Sequence, residues 1–195
     1  MAEAPEVSLV SDPAPSVLLG RFEEGKIILA NPELDGVRPE EVTIDLEPFE
    51  LDVPASVASG RVESEGPLSG MLRAELSEEE VARLANSSDD LAAPVSGVRL
   101  EEGYLVVGSE VEALGARVPA GVEGDLALRD GDLLFDPRRL KVLGRDVPEP
   151  LTRRLLEDAD FAYPIELPFE GEVSGVEVHE ERLVLIGEVR DLAVG

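Results

Sequence analysis

Between Val42 and Val53 apolar and polar residues alternate, with Val42, Ile44 and Leu46 on one parity and, beyond Pro48, Phe49, Leu51 and Val53 on the other. A period of two sends successive side chains to opposite faces of an extended chain, so the segment reads as a strand with one buried face. Pro48 has no N–H to give to a ladder and predicts a bulge or bend at the change of parity, which suits a strongly curved sheet. Similar alternation, punctuated by Gly, Pro and acidic residues, recurs along the sequence and predicts antiparallel hairpins as its main element.

An internal repeat sharpens this. Leu100-Glu-Glu-Gly103-Tyr-Leu105-Val-Val107 matches Leu128-Arg-Asp-Gly131-Asp-Leu133-Leu-Phe135 at an offset of 28, and Leu114-Gly-Ala-Arg-Val-Pro119 matches Leu143-Gly-Arg-Asp-Val-Pro148 at 29. A third hairpin-like segment runs from Val176 to Ile186. Two good copies predict a meander in preference to a solenoid. In each hairpin the outgoing strand (Tyr104–Val107, Leu133–Phe135, Leu183–Ile186) is apolar on both parities, which in an antiparallel sheet calls for cover on both faces. A helix and a second sheet or subunit would supply it, and so would a lipid or other apolar ligand on one face.

Helices are few. Ser77-Glu-Glu-Glu80 has the capping-box pattern, with Leu76 and Val81 placed as a hydrophobic staple. A second helix is predicted from Pro148 or Pro150, with Leu151, Leu155 and Ala159 on one stripe. Residues 86–96 read as a long loop within a single domain spanning 1–195, between a first half (1–85) and a repeat-bearing second half (97–195). The chain has 195 residues and is 43% hydrophobic, enough for one sizeable core, and with only 4% aromatic residues that core must be aliphatic.

Charge and side-chain inventory exclude several functions. A formal charge of -26 repels phosphate backbones and opposes approach to an anionic membrane, so nucleic acid is not expected as a partner. With no Cys and one His, there is no disulfide framework, thiolate nucleophile, iron-sulfur cluster or multi-histidine metal centre, and neither metal nor cofactor is expected. Gly20-Arg-Phe-Glu-Glu-Gly25-Lys26-Ile27 imitates a P-loop, but Ile27 replaces the magnesium-binding hydroxyl and two glutamates would face the phosphates; it reads as a turn between Val17–Leu19 and Ile27–Leu29. Asp130, Asp132 and Asp136 lack EF-hand spacing, and His179 at a hairpin tip lacks an orienting partner. Gly-x-Ser-x-Gly and Ser-x-x-Lys are absent, and Asn86-Ser-Ser88 is a glycosylation sequon only in a secretory context. The chain is therefore not expected to be an enzyme; a hydrolase using scattered carboxylates ranks last. No apolar run reaches the roughly 18 residues of a membrane span, and Met-Ala-Glu-Ala-Pro lacks the regions of a signal peptide. The expected location is extracytoplasmic or cell-envelope if the native N-terminus has been trimmed, and otherwise cytoplasmic.

One segment departs from the overall charge. Residues 138–154 hold Arg138, Arg139, Lys141, Arg145, Arg153 and Arg154 against Asp146 and Glu149. Intramolecular ion pairs account for such a cluster, and so does a phosphate or headgroup contact through Arg138, Arg139 and Lys141 at the rim of an apolar cavity.

The order of segments resembles the LmeA-like phospholipid-binding family, found mostly in actinobacteria. The resemblance begins near Leu18-Leu19-Gly20-Arg21 and continues through Val42-x-Ile44-x-Leu46 and Leu76-Ser77-x-x-x-Val81. It is strongest from Gly103 to Leu192, through Gly103-x-Leu105-x-Val107, Gly115-x-x-Val118-Pro119, Asp130-Gly131-x-Leu133, Pro137, Gly144-x-x-Val147-Pro148, Leu167-Pro168 and Val176-x-Val178, and it covers nearly the whole chain. It implies an α+β fold similar to the tubular lipid-binding class, in which a strongly curved antiparallel hairpin meander and a few short helices enclose an apolar cavity. It also implies non-enzymatic binding of a phospholipid or fatty-acyl ligand, as carrier or chaperone in cell-envelope lipid maintenance, with transient membrane contact. The residues agree, because an acyl chain could fill the core that strands apolar on both parities require. Leu105, Val107, Leu133, Phe135, Leu183 and Leu185 are the expected cavity walls, with Phe161, Tyr163 and Phe169 near its mouth. The alternative is a β-rich structural or interaction domain of an envelope protein that buries the same strands against a protein partner.

Overall fold

The computed structural model describes residues 5–12, 14–87, 94–113, 116–129, 131–156, 161–165, 167 and 169–192. Leu114, Gly115, Asp130, Ala159, Pro168 and residues 88–93 of the expected long loop lie outside them. In chain order the elements are β1 (Glu6–Val10), a 3₁₀ helix (Ala14–Leu19), β2 (Arg21–Phe22), β3 (Glu24–Ala30), β4 (Glu41–Leu46), β5 (Phe49–Glu50), α1 (Val53–Ser59), β6 (Gly70–Ser77) and α2 (Glu78–Ser87). There follow β7 (Val95–Glu101), β8 (Tyr104–Ala113), β9 (Ala116–Arg129), β10 (Asp132–Val142), β11 (Arg145–Asp146), α3 (Glu149–Leu156), β12 (Phe161–Pro164), β13 (Gly171–His179) and β14 (Arg182–Val189). Antiparallel sheets with a few short helices make this an α+β fold, and none of its sheets closes into a barrel.

The chain forms two compact units: Met1–Ala74 with Glu166–Ser174 and Leu185–Gly195, and Glu75–Ile165 with Gly175–Val184. Of the strand order β1-β3-β4-β6-β14-β13, β1, β3 and β4 lie wholly in the first unit, whereas β6, β13 and β14 each have residues in both. The core of the first unit is the alternation noted above: Val42, Ile44 and Leu46 are buried with Leu68, Leu72, Ala74 and Val189, while Thr43 and Asp45 occupy the other face and Asp45 pairs with Lys26 at 3.1 Å.

Two strand expectations in this unit are corrected. The ladder does not bend through Pro48; it stops at Leu46, and Phe49–Glu50 pairs with Arg21–Phe22 in a separate two-stranded ribbon, β2–β5. Beyond it Leu51 forms an isolated bridge to Ser64 and the strand ends, because Asp52 caps α1 by accepting a hydrogen bond from the Ala55 N–H at 2.8 Å and Pro54 suits the first helical turn. Val17–Leu19, expected to pair with Ile27–Leu29, instead closes the 3₁₀ helix, and β3 pairs with β1 and β4. Pro15 has no N–H for a ladder in that segment.

The second unit contains the order β11-β10-β9-β8-β7, with β12 beside β10. This is the expected meander, and the two copies of the sequence repeat fall on the β7–β8 and β9–β10 hairpins. In the second copy the Leu-Gly element is a hairpin turn: Leu143 and Gly144 both have positive φ, 54° and 72°, as a two-residue turn matched to strand twist requires. The exposed edge of β7 is capped by α2. Glu78 Oε1 accepts the Leu100 N–H at 2.7 Å, and Asn86 both accepts the Val95 N–H (2.9 Å) and donates to the Val95 carbonyl (3.0 Å). The asparagine of the sequon thus closes a sheet edge that would otherwise offer unpaired groups. The α2 cap is the predicted Ser77, whose Oγ accepts from the Glu80 N–H at 3.4 Å, and α3 begins at Glu149, directly after Pro148. Leu151, expected on the buried stripe of α3, is 52% exposed; Thr152 is the buried residue there, its hydroxyl donating to the Val147 carbonyl at 3.1 Å.

Candidate functional site

The register of the β7–β11 sheet sorts its side chains into two chemically distinct faces. On β9, Val118, Ala120, Val122, Gly124, Leu126 and Leu128 share one face. Leu133 and Phe135 of β10 stand opposite Leu128 and Leu126, and Leu105 and Val107 of β8 stand opposite Gly124 and Val122. Leu100 and Val98 of β7 continue the row. The other face carries Glu123, Asp125, Arg129, Asp132, Asp136 and Lys141.

A bulge at Arg138 preserves this separation. In a regular β10, Arg139 and Lys141 would share the face of Leu133 and Phe135. The register shift between Pro137 and Arg139 moves them to the charged face and returns Leu140 and Val142 to the apolar one, opposite Val122 and Ala120. In this sheet the outgoing strands that look apolar on both parities therefore place Tyr104, Val106 and Leu134 on the charged face, Val106 and Leu134 opposite Glu123 and Ala127. The second apolar cover that the sequence calls for is not needed in this sheet.

The apolar face is covered unevenly. Leu100, Leu105, Val98, Ala120 and Leu140 are buried, whereas Val107, Val122, Leu126, Leu128, Leu133, Phe135 and Val142 are half-buried. Gly124 lies beneath the Phe135 ring: a Cβ at this position would stand 2.6 Å from Cε2 and 2.7 Å from Cζ. The missing side chain leaves room for the ring at this point of β9.

Of the nine expected wall and mouth residues, Leu105, Val107, Leu133 and Phe135 come together on this face. Tyr163 is half-buried opposite Leu133. Phe161 is in register with Phe135, and its side chain lies outside the described residues. Leu183 is buried in the second unit. Leu185 and Phe169 belong to the first unit, packed against the Val42–Leu72 cluster. Sequence reasoning missed Val122, Leu126 and Leu128, although the even-numbered apolar positions of β9 carry the signal.

Arg138, Arg139, Lys141 and Arg153 are paired within the molecule. Arg138 forms an ion pair with Asp125; Arg139 Nη1 donates to Glu123 Oε2 at 2.8 Å, and Lys141 donates to Glu123 Oε1. The Lys141 hydrogen bond, helped by the Lys141 and Arg139 charges, holds the Glu123 carboxyl below its usual range against the opposing effect of partial burial, and the same hydrogen bond raises Lys141. Arg153 pairs with Glu149 at 2.7 Å. The Arg138 and Arg139 side chains remain 67% and 61% exposed, so solvent reaches both guanidinium groups. His179 stands between Glu102 (3.4 Å) and Glu177 (3.2 Å) on the surface.

In the first unit a cleft of about 270 Å³ beside the β2–β5 ribbon is lined by Asp12, Arg21, Glu23, Phe49 and Glu50, with Arg21 bound to Glu50 at 2.9 Å. Its carboxylates suit neither an acyl chain nor a phosphate. Among the described residues no group of three or more His, Cys, Asp or Glu is placed to hold a metal ion, and no helix is long and apolar enough to cross a membrane.

No curated protein and no solved structure matches the chain. A family match covers residues 1–188, including the whole apolar face described above. On that match the chain belongs to the LmeA-like phospholipid-binding family.

Proposed function

We propose that the protein binds a phospholipid or fatty-acyl ligand without chemically altering it, laying the acyl chains along the β9–β10 part of the apolar face, and that it serves as a carrier or chaperone in cell-envelope lipid maintenance. The observation that carries this is the half-buried aliphatic row Val122, Leu126, Leu128, Leu133 and Phe135 on a sheet whose opposite face is charged. Apolar surface of this kind gains free energy by leaving water, about 0.8 kcal/mol for each lipid CH₂ that covers it. Family membership supports a phospholipid as the source of the acyl chains.

A headgroup role for Arg138, Arg139 and Lys141 is a further part of the proposal. It would be a contact separate from the acyl-binding face, since Arg139 and Lys141 lie on the opposite, charged face, and it requires a phosphate to displace Asp125 and Glu123 from the exposed guanidinium groups. The direct test is titration of a soluble fluorescent fatty acid into the wild-type protein and into Leu133→Asp and Phe135→Asp variants checked for folding. The wild type binds and the folded variants lose binding by at least tenfold. Unchanged affinity in a folded variant rejects the wall assignment, and concentration-dependent self-association in place of fatty-acid uptake points to a protein interface on the same strands.

A further inference from the structure

We propose that the protein docks on the uncharged interface of a lipid bilayer through the 3₁₀ helix and α1 of the first unit, whose aliphatic side chains enter the lipid. This rests on the reading that its ligand is a bilayer lipid, but it uses different residues from the acyl-binding face. Val17, Leu18 and Leu19 are 46%, 83% and 67% exposed, and Val57 is 79% exposed. Successive residues of a 3₁₀ helix point about 120° apart, so three consecutive exposed aliphatics have no common packed face. α1 contains no buried residue.

The two helices leave the same end of the β2–β5 ribbon: Leu19 leads through Gly20 into Arg21, and Glu50 leads into Val53. Leu51 N–H donates to the Gly20 carbonyl at 2.7 Å, and a Cβ at Gly20 would lie 3.1 Å from Val53 Cγ2. The pair is therefore a structural unit, and its two sequences, Ala-Pro-Ser-Val-Leu-Leu and Val-Pro-Ala-Ser-Val-Ala-Ser, contain no charged residue.

Charge and area identify the occupant. The two helices contribute no charged side chain of their own, but Asp12, Glu23 and Glu50 line the neighbouring cleft with Ser16 and Asp52 caps α1, so in a chain of -26 the partner surface must lack net negative charge. Even summed, the four side chains expose only on the order of 500 Å², short of the ~800 Å² per partner that a stable protein interface takes. They also include neither the aromatic nor the arginine anchors that concentrate binding energy in such interfaces. A bilayer interface requires no shape complementarity and accepts short aliphatic insertions.

The chain has no Trp, so a single introduced Trp reports its own surroundings. Leu18→Trp should shift its emission to the blue when phosphatidylcholine vesicles are added, whereas Leu151→Trp, at a 52% exposed leucine elsewhere, should not. Leu18→Ser combined with Leu19→Ser should lower co-flotation with the same vesicles at least tenfold and leave affinity for a soluble fluorescent fatty acid unchanged. Equal flotation of this variant and wild type, or wild-type protein that binds the fatty acid and does not float, overturns the docking proposal alone. Loss of a concentration-dependent dimer in the variant, without loss of flotation, reassigns the patch to self-association and also overturns it. Flotation with no fatty-acid binding by the wild type leaves docking standing and removes the acyl-binding reading.

Discussion

Gly124 does two things that no other residue type could do at its place on β9. It keeps the apolar row continuous between Val122 and Leu126, and it leaves the volume that the Phe135 ring occupies. Gly124→Ala drives a methyl group into that ring and into the Asp136 carbonyl, so it should destabilise the fold by about 1–3 kcal/mol, as overpacking does. Gly121→Ala, three residues earlier and on the charged face, meets nothing nearer than Val106 Cγ1 at 3.6 Å and should stay within about 0.5 kcal/mol of wild type. Denaturant midpoints of the two variants decide the matter. Glu123 makes the corresponding test of the charged face. Its carboxyl is lowered chiefly by the Lys141 hydrogen bond, so its contribution to stability is present above the usual glutamate value of 4.5 and is lost as pH falls through the lowered value of the folded state. Lys141, raised by the same bond, contributes below 10.5 and loses that contribution as pH rises through its raised folded value. The stability difference between wild type and Glu123→Gln should therefore be flat near neutrality, shrink below pH 4.5 and shrink again above pH 10.5, as measured by denaturation across that range.

At the scale of the element, a strand with a face of each kind predicts opposite outcomes for adjacent substitutions. Leu126→Lys puts a charge on the half-buried apolar row and should abolish fatty-acid binding in a folded protein, whereas Ala127→Lys, exposed on the charged face, should leave affinity within about twofold of wild type. Equal effects from the two would mean that the register does not define the binding face. The β7–β11 meander was legible because its turns announce themselves: Gly103 and Gly131 have φ of 81° and 88°, and strands joined by tight turns are neighbours in the sheet. The 3₁₀ helix and α1 were not legible, since one or two turns without a buried face produce no periodicity. Leu105, Val107, Leu133 and Phe135 could be gathered from sequence because adjacent hairpins fix their pairing. Leu185 and Phe169 could not be separated from them, because parity along a strand says which residues share a side and not which core that side meets. The bulge at Arg138 was invisible for the same reason: one extra residue reverses parity without any change in composition.

For the whole molecule, charge is the largest uncompensated quantity. Seventeen basic residues cannot neutralise forty-three acidic ones, so the folded chain works against its own field at low ionic strength. The ion pairs seen at Lys26, Arg138, Arg139 and Arg153 are mostly exposed and contribute little. Raising NaCl from about 20 mM to 1 M should therefore raise the melting temperature, as the screening length contracts from tens of ångströms to ~3 Å. A melting temperature that falls with salt would show that attraction between paired side chains outweighs the repulsion. The central claim, that the apolar face of the second unit is there to hold lipid, is tested most directly by native mass spectrometry of the gently purified protein, with organic extraction and lipid analysis of the same sample. A reproducible adduct with the mass of a phospholipid or fatty acid, lost on extraction and absent from the Leu126→Lys variant, is the predicted result. A bare 20.9 kDa species that takes up neither added phospholipid nor fatty acid would contradict the account.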